Sequence, residues 1–393
     1  MTQPPDYLQI IDDAAGEQYA LAVGAGACVL PDRDTVTVTG PDRLTWLTTL
    51  SSQIVSDIGE DSRELLLLDA AGHISFACGV IDDGQTTWLL TDAGCGQPLA
   101  AFLDSMRFML RVEVADRSAD IVHVGMRATG PVADAFAALA ARSDAIVGLW
   151  QDPWPGVTPG GTTYTCVPEH PGAQWSGAIA LVAREQADAV VADALAEAGK
   201  RAGFPLETED GYAVNAPRLV GQGAWEARRI QSWRPRFSRE VDARSVPHEL
   251  DWLRSAVHLE KGCYCGQETV ARIVNLGRPP RRLVMCHIDG SRSLIPPPGT
   301  PVVIGTREVG RLTSVARDAW DGPIGLALIK RNAPDQAAQL VWTEGDTEYR
   351  VDVTLVPIVD PAGKSAVSPD QRPGAGVGRL PGAADHMRLG GTI

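Results

Sequence analysis

The last third of the chain sets the tightest limit on what it can fold into. From residue 281 onward the runs RRLVMCHIDG, TPVVIGTREVGRLTSVA, IGLALIK, QLVWTEG and EYRVDVTLVPIV follow one another, separated by Gly, Pro and Asp turns. Short aliphatic and β-branched strands at such spacing must bury their faces against one another, which predicts a small all-β barrel or sandwich of about 75 residues. A boundary is therefore expected near Gly277-Arg278-Pro279-Pro280, with residues 1–277 ahead of it and the β-rich unit over 278–360. Residues 361–393 are rich in Gly, Pro and Ala and nearly free of large apolar side chains. Too little apolar surface is available there to offset the entropy of ordering, so a disordered tail is expected.

Ahead of the boundary, helical and strand periods are mixed. Strands are expected over Ala27–Leu30 and Thr35–Thr39, then a helix opened by Gly40-Pro41-Asp42 and carrying Leu47, Leu50 and Ile54. Leu65–Leu68 reads as a buried strand with Asp69-Ala70-Ala71-Gly72 as its turn, and Ile74–Ile81 pairs with Thr86–Leu90 across Asp82-Asp83-Gly84. Leu99, Phe102, Leu103, Met106 and Leu110 mark a helix with one apolar face, and strands follow near Val112–Val114 and Ile121–Gly125. Pro131 opens an Ala-rich helix, where its missing N–H costs nothing, and a longer helix over 184–202 ends at Gly203 as a C-terminal cap. Irregular alternation with hairpins predicts an α+β fold with largely antiparallel sheets.

At 393 residues the chain exceeds a single hydrophobic core, so two or three domains are expected. No apolar run approaches the ~18 residues that a membrane span needs. The start, MTQPPDYLQIIDDAAGE, lacks the basic and apolar regions of a secretory signal, so a cytoplasmic location is expected. Seven scattered cysteines do not resemble a disulfide framework and read mostly as buried fillers. A formal charge of −14 argues against broad binding to nucleic acid or to an anionic membrane. Residues 224–282 nevertheless carry 12 Lys+Arg against 7 Asp+Glu, a local +5 that leaves −19 for the rest. This neighbourhood reads either as a solvated surface or as a seat for a small anionic ligand.

Inside it lies HLEKGCYCGQETVARIVN, residues 258–275. The preceding stretch PHELDWLRSAVHLEKG predicts a helix with Leu250, Leu253 and Val257 on one face and Gly262 as its left-handed stop. A second helix follows Gly266, with Glu268 in its first turn, Val270, Ile273 and Val274 on its apolar face, and Gly277 as its stop. Cys263 and Cys265 then sit in a short loop leading to a helix N-terminus, where N–H groups and a nearby ammonium favour the reactive thiolate. Lys261 can supply the ammonium, or can serve the carbonyls that end the first helix. Cys265 reads as loop filler, Tyr264 as a packed aromatic or a stacking face, and Gln267 as an amide able to meet a ligand. One residue between the cysteines is the wrong spacing for structural zinc and strains an internal disulfide.

The run Lys261-Gly262-Cys263-Tyr264-Cys265-Gly266-Gln267-Glu268 resembles the signature K-G-C-[FY]-x-G-Q-E of the YgfZ family of folate-binding proteins. The related glycine-cleavage T-protein, an aminomethyltransferase, has an acidic residue in place of Cys263 and a basic one in place of Gln267. Gly40-Pro41-Asp42-Arg43 through Leu47, Ser52-Gln53, Asp57, Leu66-Leu67-Leu68, Gly72-His73-Ile74 and Gly310 to Ser314 are similar to further family elements, so the resemblance spans residues 20–357. Arg229 to Pro235 stands where relatives carry R-I-E-A-G-x-P, with Gln231 for the usual Glu and Trp233 for the usual Gly. The T-protein's Gly-Glu pterin motif is absent, and Tyr164 to Glu169 is its nearest echo.

This resemblance implies two mixed α/β folate-binding lobes plus a C-terminal β-barrel, arranged as a ring around a channel that holds tetrahydrofolate. It also implies a role in the synthesis or repair of iron–sulfur enzymes, which would be the partner proteins, with Cys263 as the functional thiol and Lys261 beside it. Arg229 and Arg272 become candidates for the anionic glutamate tail, against simple ion pairing, and Tyr264, Gln267 and Glu268 candidates for the folate's surroundings. The alternative is a folate-dependent aminomethyltransferase of T-protein type. The resemblance leaves open whether bonds are made and broken in the site, and no metal site is expected.

Overall fold

The strand Arg63–Leu68 shows how the chain is partitioned. Alternate side chains of a strand point to opposite faces. Leu65 and Leu67 enter a core with Trp46, Leu47, Leu99 and Leu103, while Leu66 and Leu68 join a central core with Trp252, Leu253, Val270 and Val274. An unbroken run of leucines is what a strand buried on both sides requires.

In the computed structural model, which describes residues 9–366 apart from 166, 276, 335 and 336, this strand borders a five-stranded sheet. Its order is Arg63–Leu68, Ile74–Asp82, Thr86–Asp92, Arg33–Thr39, Glu113–Asp116, antiparallel throughout. The helices Arg43–Leu50 and Gly96–Met106 contribute Leu47, Leu99 and Leu103 to the core on one of its faces. A second five-stranded sheet runs Arg218–Val220, Gly26–Val29, Ile121–Arg127, Gly177–Ala183, Ile146–Gln151, with a single parallel pair between the first two strands. The helices Pro131–Ala140 and Ala187–Arg201 share one of its cores, and Ala14–Ala22 and Gln222–Gln231 another. The chain places Gly26–Val29 in this sheet, builds the whole of the other, and then returns. The two lobes are therefore interwoven rather than consecutive.

The β-rich end closes into a six-stranded barrel in the order Arg281–Ile288, Gly322–Lys330, Arg307–Asp318, Pro301–Ile304, Ala338–Glu344, Thr347–Pro357. Closure removes the exposed edges that an open sheet would leave. Val284, Cys286, Leu312, Ile329, Leu340 and Val353 form one core of the barrel, while Leu283, Met285, Ile324 and Leu326 join the central core. The helix Gln222–Gln231 packs on the strands Arg307–Asp318 and Gly322–Lys330, joining the barrel to the lobes.

Four sequence expectations are corrected. The helix carrying Leu99 ends at Met106, short of Leu110, and Phe108 turns the chain at φ 47° with its ring 83% exposed. The helix expected over 247–262 is instead two 3-10 turns, Pro247–Leu250 and Trp252–Arg254, broken at Asp251 with φ 54°. The Asp251 carboxylate accepts from the Tyr164 N–H, from Thr163 Oγ1 at 2.8 Å and from the nearby Arg254 Nη1 at 3.5 Å, and the first two, distant in the chain, hold the break. Ala187–Arg201 stops at Ala202 in an extended conformation, and neither Gly203 nor Gly262 is left-handed. Of the expected tail, residues 367–393 lie outside the described residues.

Candidate functional site

The helix Gln267–Asn275 begins directly after the motif loop and buries Val270 and Val274 in the central core. Glycines shape the loop ahead of it. Gly266 has φ +79°, and a Cβ there would lie 2.6 Å from Asp69 O and 2.8 Å from Gly72 Cα. Gly72, at φ +83°, would place a Cβ 2.9 Å from Thr269 Cβ. Only glycine at both positions lets the turn 69–72 and the motif meet backbone to backbone.

On its other side the loop is pinned through Lys261. Its Nζ donates to Ser51 O at 2.7 Å and stands 4.5 Å from the centre of the Tyr264 ring. Ser51 follows the helix Arg43–Leu50, and its neighbour Ser52 is tied to the same segment: Ser52 Oγ donates to Ala256 O at 2.5 Å and His258 N donates to Ser52 O at 2.9 Å. Burial lowers the Lys261 pKa to about 8, with the negative charge of Cys263 acting the other way. Tyr264 is buried beneath it, and desolvation raises its hydroxyl pKa. Gln267 Nε2 donates to Lys261 O at 3.3 Å and so closes the loop. Cys263, Cys265, Glu268 and Arg272 are exposed. The arrangement offers an accessible thiol within electrostatic reach of an amine that gives up its proton near pH 8, a pairing suited to nucleophilic or acid–base work.

Three cavities are linked by shared wall residues. The smallest, about 70 Å³, is lined by Trp150, Trp225, Trp252, Arg229, Arg234 and Asp152 among others. It shares Asp152 with a 430 Å³ cavity that also has Gln53, Asp57, Arg63 and His258 in its wall. It shares Trp175 and Ser232 with a 780 Å³ cavity faced by Arg127, Arg228, Gln231, Trp233 and Trp320. None of the residues 261–268, nor Arg272, lines any of the three.

Arg229 is held differently from the ligand contact expected of it. Its Nε donates to Glu226 at 2.8 Å, Nη1 to Arg234 O at 2.6 Å and Glu240 at 3.1 Å, and Nη2 to Glu226 and Ser314 Oγ at 2.5 Å each. A guanidinium has five N–H donors, and these bonds engage all of them. The side chain on the large cavity is its neighbour Arg228, whose Nη1 donates to Gln231 Oε1 at 2.6 Å and whose Cζ lies 4.1 Å from the Trp320 ring centre. Trp233 also reaches this wall, at a left-handed φ of 59° that glycine adopts more readily. Sequence reasoning passed over Arg228, Trp175 and Trp320. The adjacent arginines and the three-residue step from Arg228 to Gln231 were a usable signal for the first, whereas nothing local marks Trp320, which arrives on a barrel turn. Glu169, from the stretch nearest to a pterin motif, is in the same wall.

No protein-family model matches the chain. Its fold is similar to that of the glycine cleavage system aminomethyltransferase T from Bartonella henselae, with a TM-score of 0.62 and 15% identity over 89% of this chain and 93% of that one. The chain has the aminomethyltransferase fold, with the closed barrel as its C-terminal part. Over 140 residues it is 33% identical to a chloroplastic protein of Arabidopsis thaliana described as a transferase, a match covering 33% of this chain and 31% of that relative. Among the described residues no helix is long and apolar enough to cross a membrane, and no three His, Cys, Asp or Glu are grouped to hold a metal ion.

Proposed function

We propose that the protein binds tetrahydrofolate and supports the synthesis or repair of iron–sulfur enzymes through Cys263, as the likeness of its motif to YgfZ proteins implies. The observation that carries this reading is the exposed Cys263 thiol beside the buried Lys261 amine, on a loop fixed by Gly266 and Ser51. A thiol presented on a rigid loop can meet a client protein, and iron–sulfur enzymes are the clients proposed.

The 780 Å³ cavity fits a reduced folate on three counts. Its volume lies in the range of sites for ligands of this size, about 300–1,000 Å³. Trp175 and Trp233 supply aromatic lining for a flat pterin, and Glu169 and the Gln231 amide offer partners for its ring nitrogens. Arg127 and Arg228 supply cations for the glutamate tail. Tetrahydrofolate, when bound, supplies nitrogen atoms that carry one-carbon units. The second reading, transfer of an aminomethyl group, is favoured by the fold shared with aminomethyltransferase T. Cys263 in place of an acidic residue weighs against it.

The experiment pairs a tetrahydrofolate titration followed by tryptophan fluorescence with complementation of cells that lack the protein. The expected result is saturable binding by wild type and by Cys263→Ser, with iron–sulfur enzyme activity restored by wild type alone. Complementation by the variant would remove the thiol from the function, and absence of saturable binding would remove the folate. Turnover of an aminomethylated lipoyl carrier protein would favour the transferase.

A further inference from the structure

Four arginines from one short stretch, at 228, 229, 234 and 236, are drawn into the interior, and three of them are each neutralised twice. Arg229 meets Glu226 at 2.5 Å and Glu240 at 3.1 Å. Arg234 meets Glu64 at 2.5 Å and Asp152 at 2.9 Å, and Arg236 meets Asp32 at 2.5 Å and Asp92 at 2.7 Å. Arg228 is the exception. Its ion-pair partner, Asp318, stands 3.9 Å away, although the two side chains are only 11% and 0% exposed. Its Nε and Nη2 and the Asp318 Oδ2 have no hydrogen-bond partner among the described residues. A buried cation left this far from its counter-charge carries a desolvation cost that an incoming anion would offset.

The guanidinium is also fixed in place, with Nη1 on Gln231 and Cζ 4.1 Å from the Trp320 ring centre. A second arginine, Arg127, lines the same cavity, close enough to act on it as a like charge. Burial, with that repulsion added, lowers the Arg228 pKa to about 10, whereas the paired carboxylates raise those of Arg229, Arg234 and Arg236. Acidic residues line the same cavity: Glu207, Glu209 and Asp210 lie between Leu206 and Val214 on one hairpin, Asp210 accepts from Trp320 Nε1, and Asp321 acts on Arg228 as an opposite charge. A ligand matched to this lining is one whose anionic group reaches the unpartnered Nε and Nη2 of Arg228 while its hydrogen-bond donors meet the carboxylates.

We infer that Arg228, assisted by Arg127, is the anion-recognition group of the large cavity and holds the tail carboxylate of its ligand; this rests on the folate reading given above. Gln231 and Trp320 act as positioning residues for Arg228.

The assignment is tested by fluorescence titration of wild type, Arg228→Gln, Arg228→Lys and Arg127→Gln with two probes, tetrahydrofolate and a tetrahydropterin without the benzoylglutamate tail. Arg228→Gln is expected to weaken tetrahydrofolate binding at least tenfold and to leave tetrahydropterin within twofold of wild type. Arg228→Lys, which keeps the charge, and Arg127→Gln are expected to fall between. A circular dichroism melt accompanies each variant, and Arg228→Lys carries the comparison if Arg228→Gln fails to fold. Equal losses for both probes, or none for either, would overturn the assignment while leaving folate binding in place. Wild type that binds neither probe would overturn the folate reading and this assignment with it.

Discussion

At the scale of single residues, the motif separates positions that shape the loop from positions that do chemistry. Gly266 is fixed by both its left-handed backbone and the Asp69 carbonyl 2.6 Å from any Cβ, so Gly266→Ala should cost at least about 2 kcal/mol in urea denaturation. Gly262 is not left-handed and has nothing within 4 Å of a Cβ, so Gly262→Ala should stay within about 0.5 kcal/mol of wild type. Lys261 has a chemical signature of its own. Its folded pKa of about 8 lies below the ordinary 10.5, so the unfolded chain binds the extra proton between those values. Wild type should therefore gain stability relative to Lys261→Met as pH rises from about 8 to 10.5, the slope following the difference in bound protons.

At the scale of elements, the segment 247–254 shows a local period overridden by distant partners. Leu250, Leu253 and Val257 do share a buried environment, as helical spacing predicts, yet the backbone between them is broken at Asp251. Burial raises the Asp251 carboxyl to a pKa of about 6, and the bonds from Tyr164 N–H, Thr163 and Arg254 only partly counter it. Asp251→Ala should destabilise the fold by about 3–5 kcal/mol, since Arg254 is left buried without its partner and the Tyr164 N–H loses its acceptor. Thermal unfolding monitored by circular dichroism reads this directly. The helices Pro131–Ala140 and Gln267–Asn275 were legible because Pro, Gly and apolar spacing agree within each element. Segment 247–254 was not, because what breaks it lies about 90 residues away in the chain.

At the scale of the whole molecule, the interwoven lobes and the barrel are joined by charge as well as by apolar contact. Arg236 reaches Asp32 and Asp92 in the first part of the chain, and Arg229 reaches Glu226, Glu240 and Ser314, the last on the barrel. Arg229→Ala leaves Glu226 and Glu240 buried and unpaired, so it should lower stability by about 3–5 kcal/mol. Replacing Arg229 together with both acids by apolar residues of similar volume should recover much of that loss, and comparing the unfolding midpoints of the single and the triple variant checks it. A deficit in folate binding in Arg229→Ala that vanishes in the compensated variant would mark this residue as structural.

By itself the sequence determined the α+β class, a β-rich C-terminal end of barrel or sandwich type, the helix after the motif and the loop position of its cysteines, because each follows from side-chain period or turn chemistry within a few residues. Only the tertiary structure decided between Arg228 and Arg229. They are consecutive on one helix and project about 100° apart, so which of them is held between two close carboxylates and which lines the large cavity depends on how that helix is rotated against the barrel. The same holds for Trp320, brought to the cavity wall by a barrel turn, and for Lys261, which is buried with its Nζ donating to Ser51 O at the end of a helix 210 positions earlier. Local pattern carries no information about such juxtapositions, because they are fixed by packing between segments that the chain joins only at a distance.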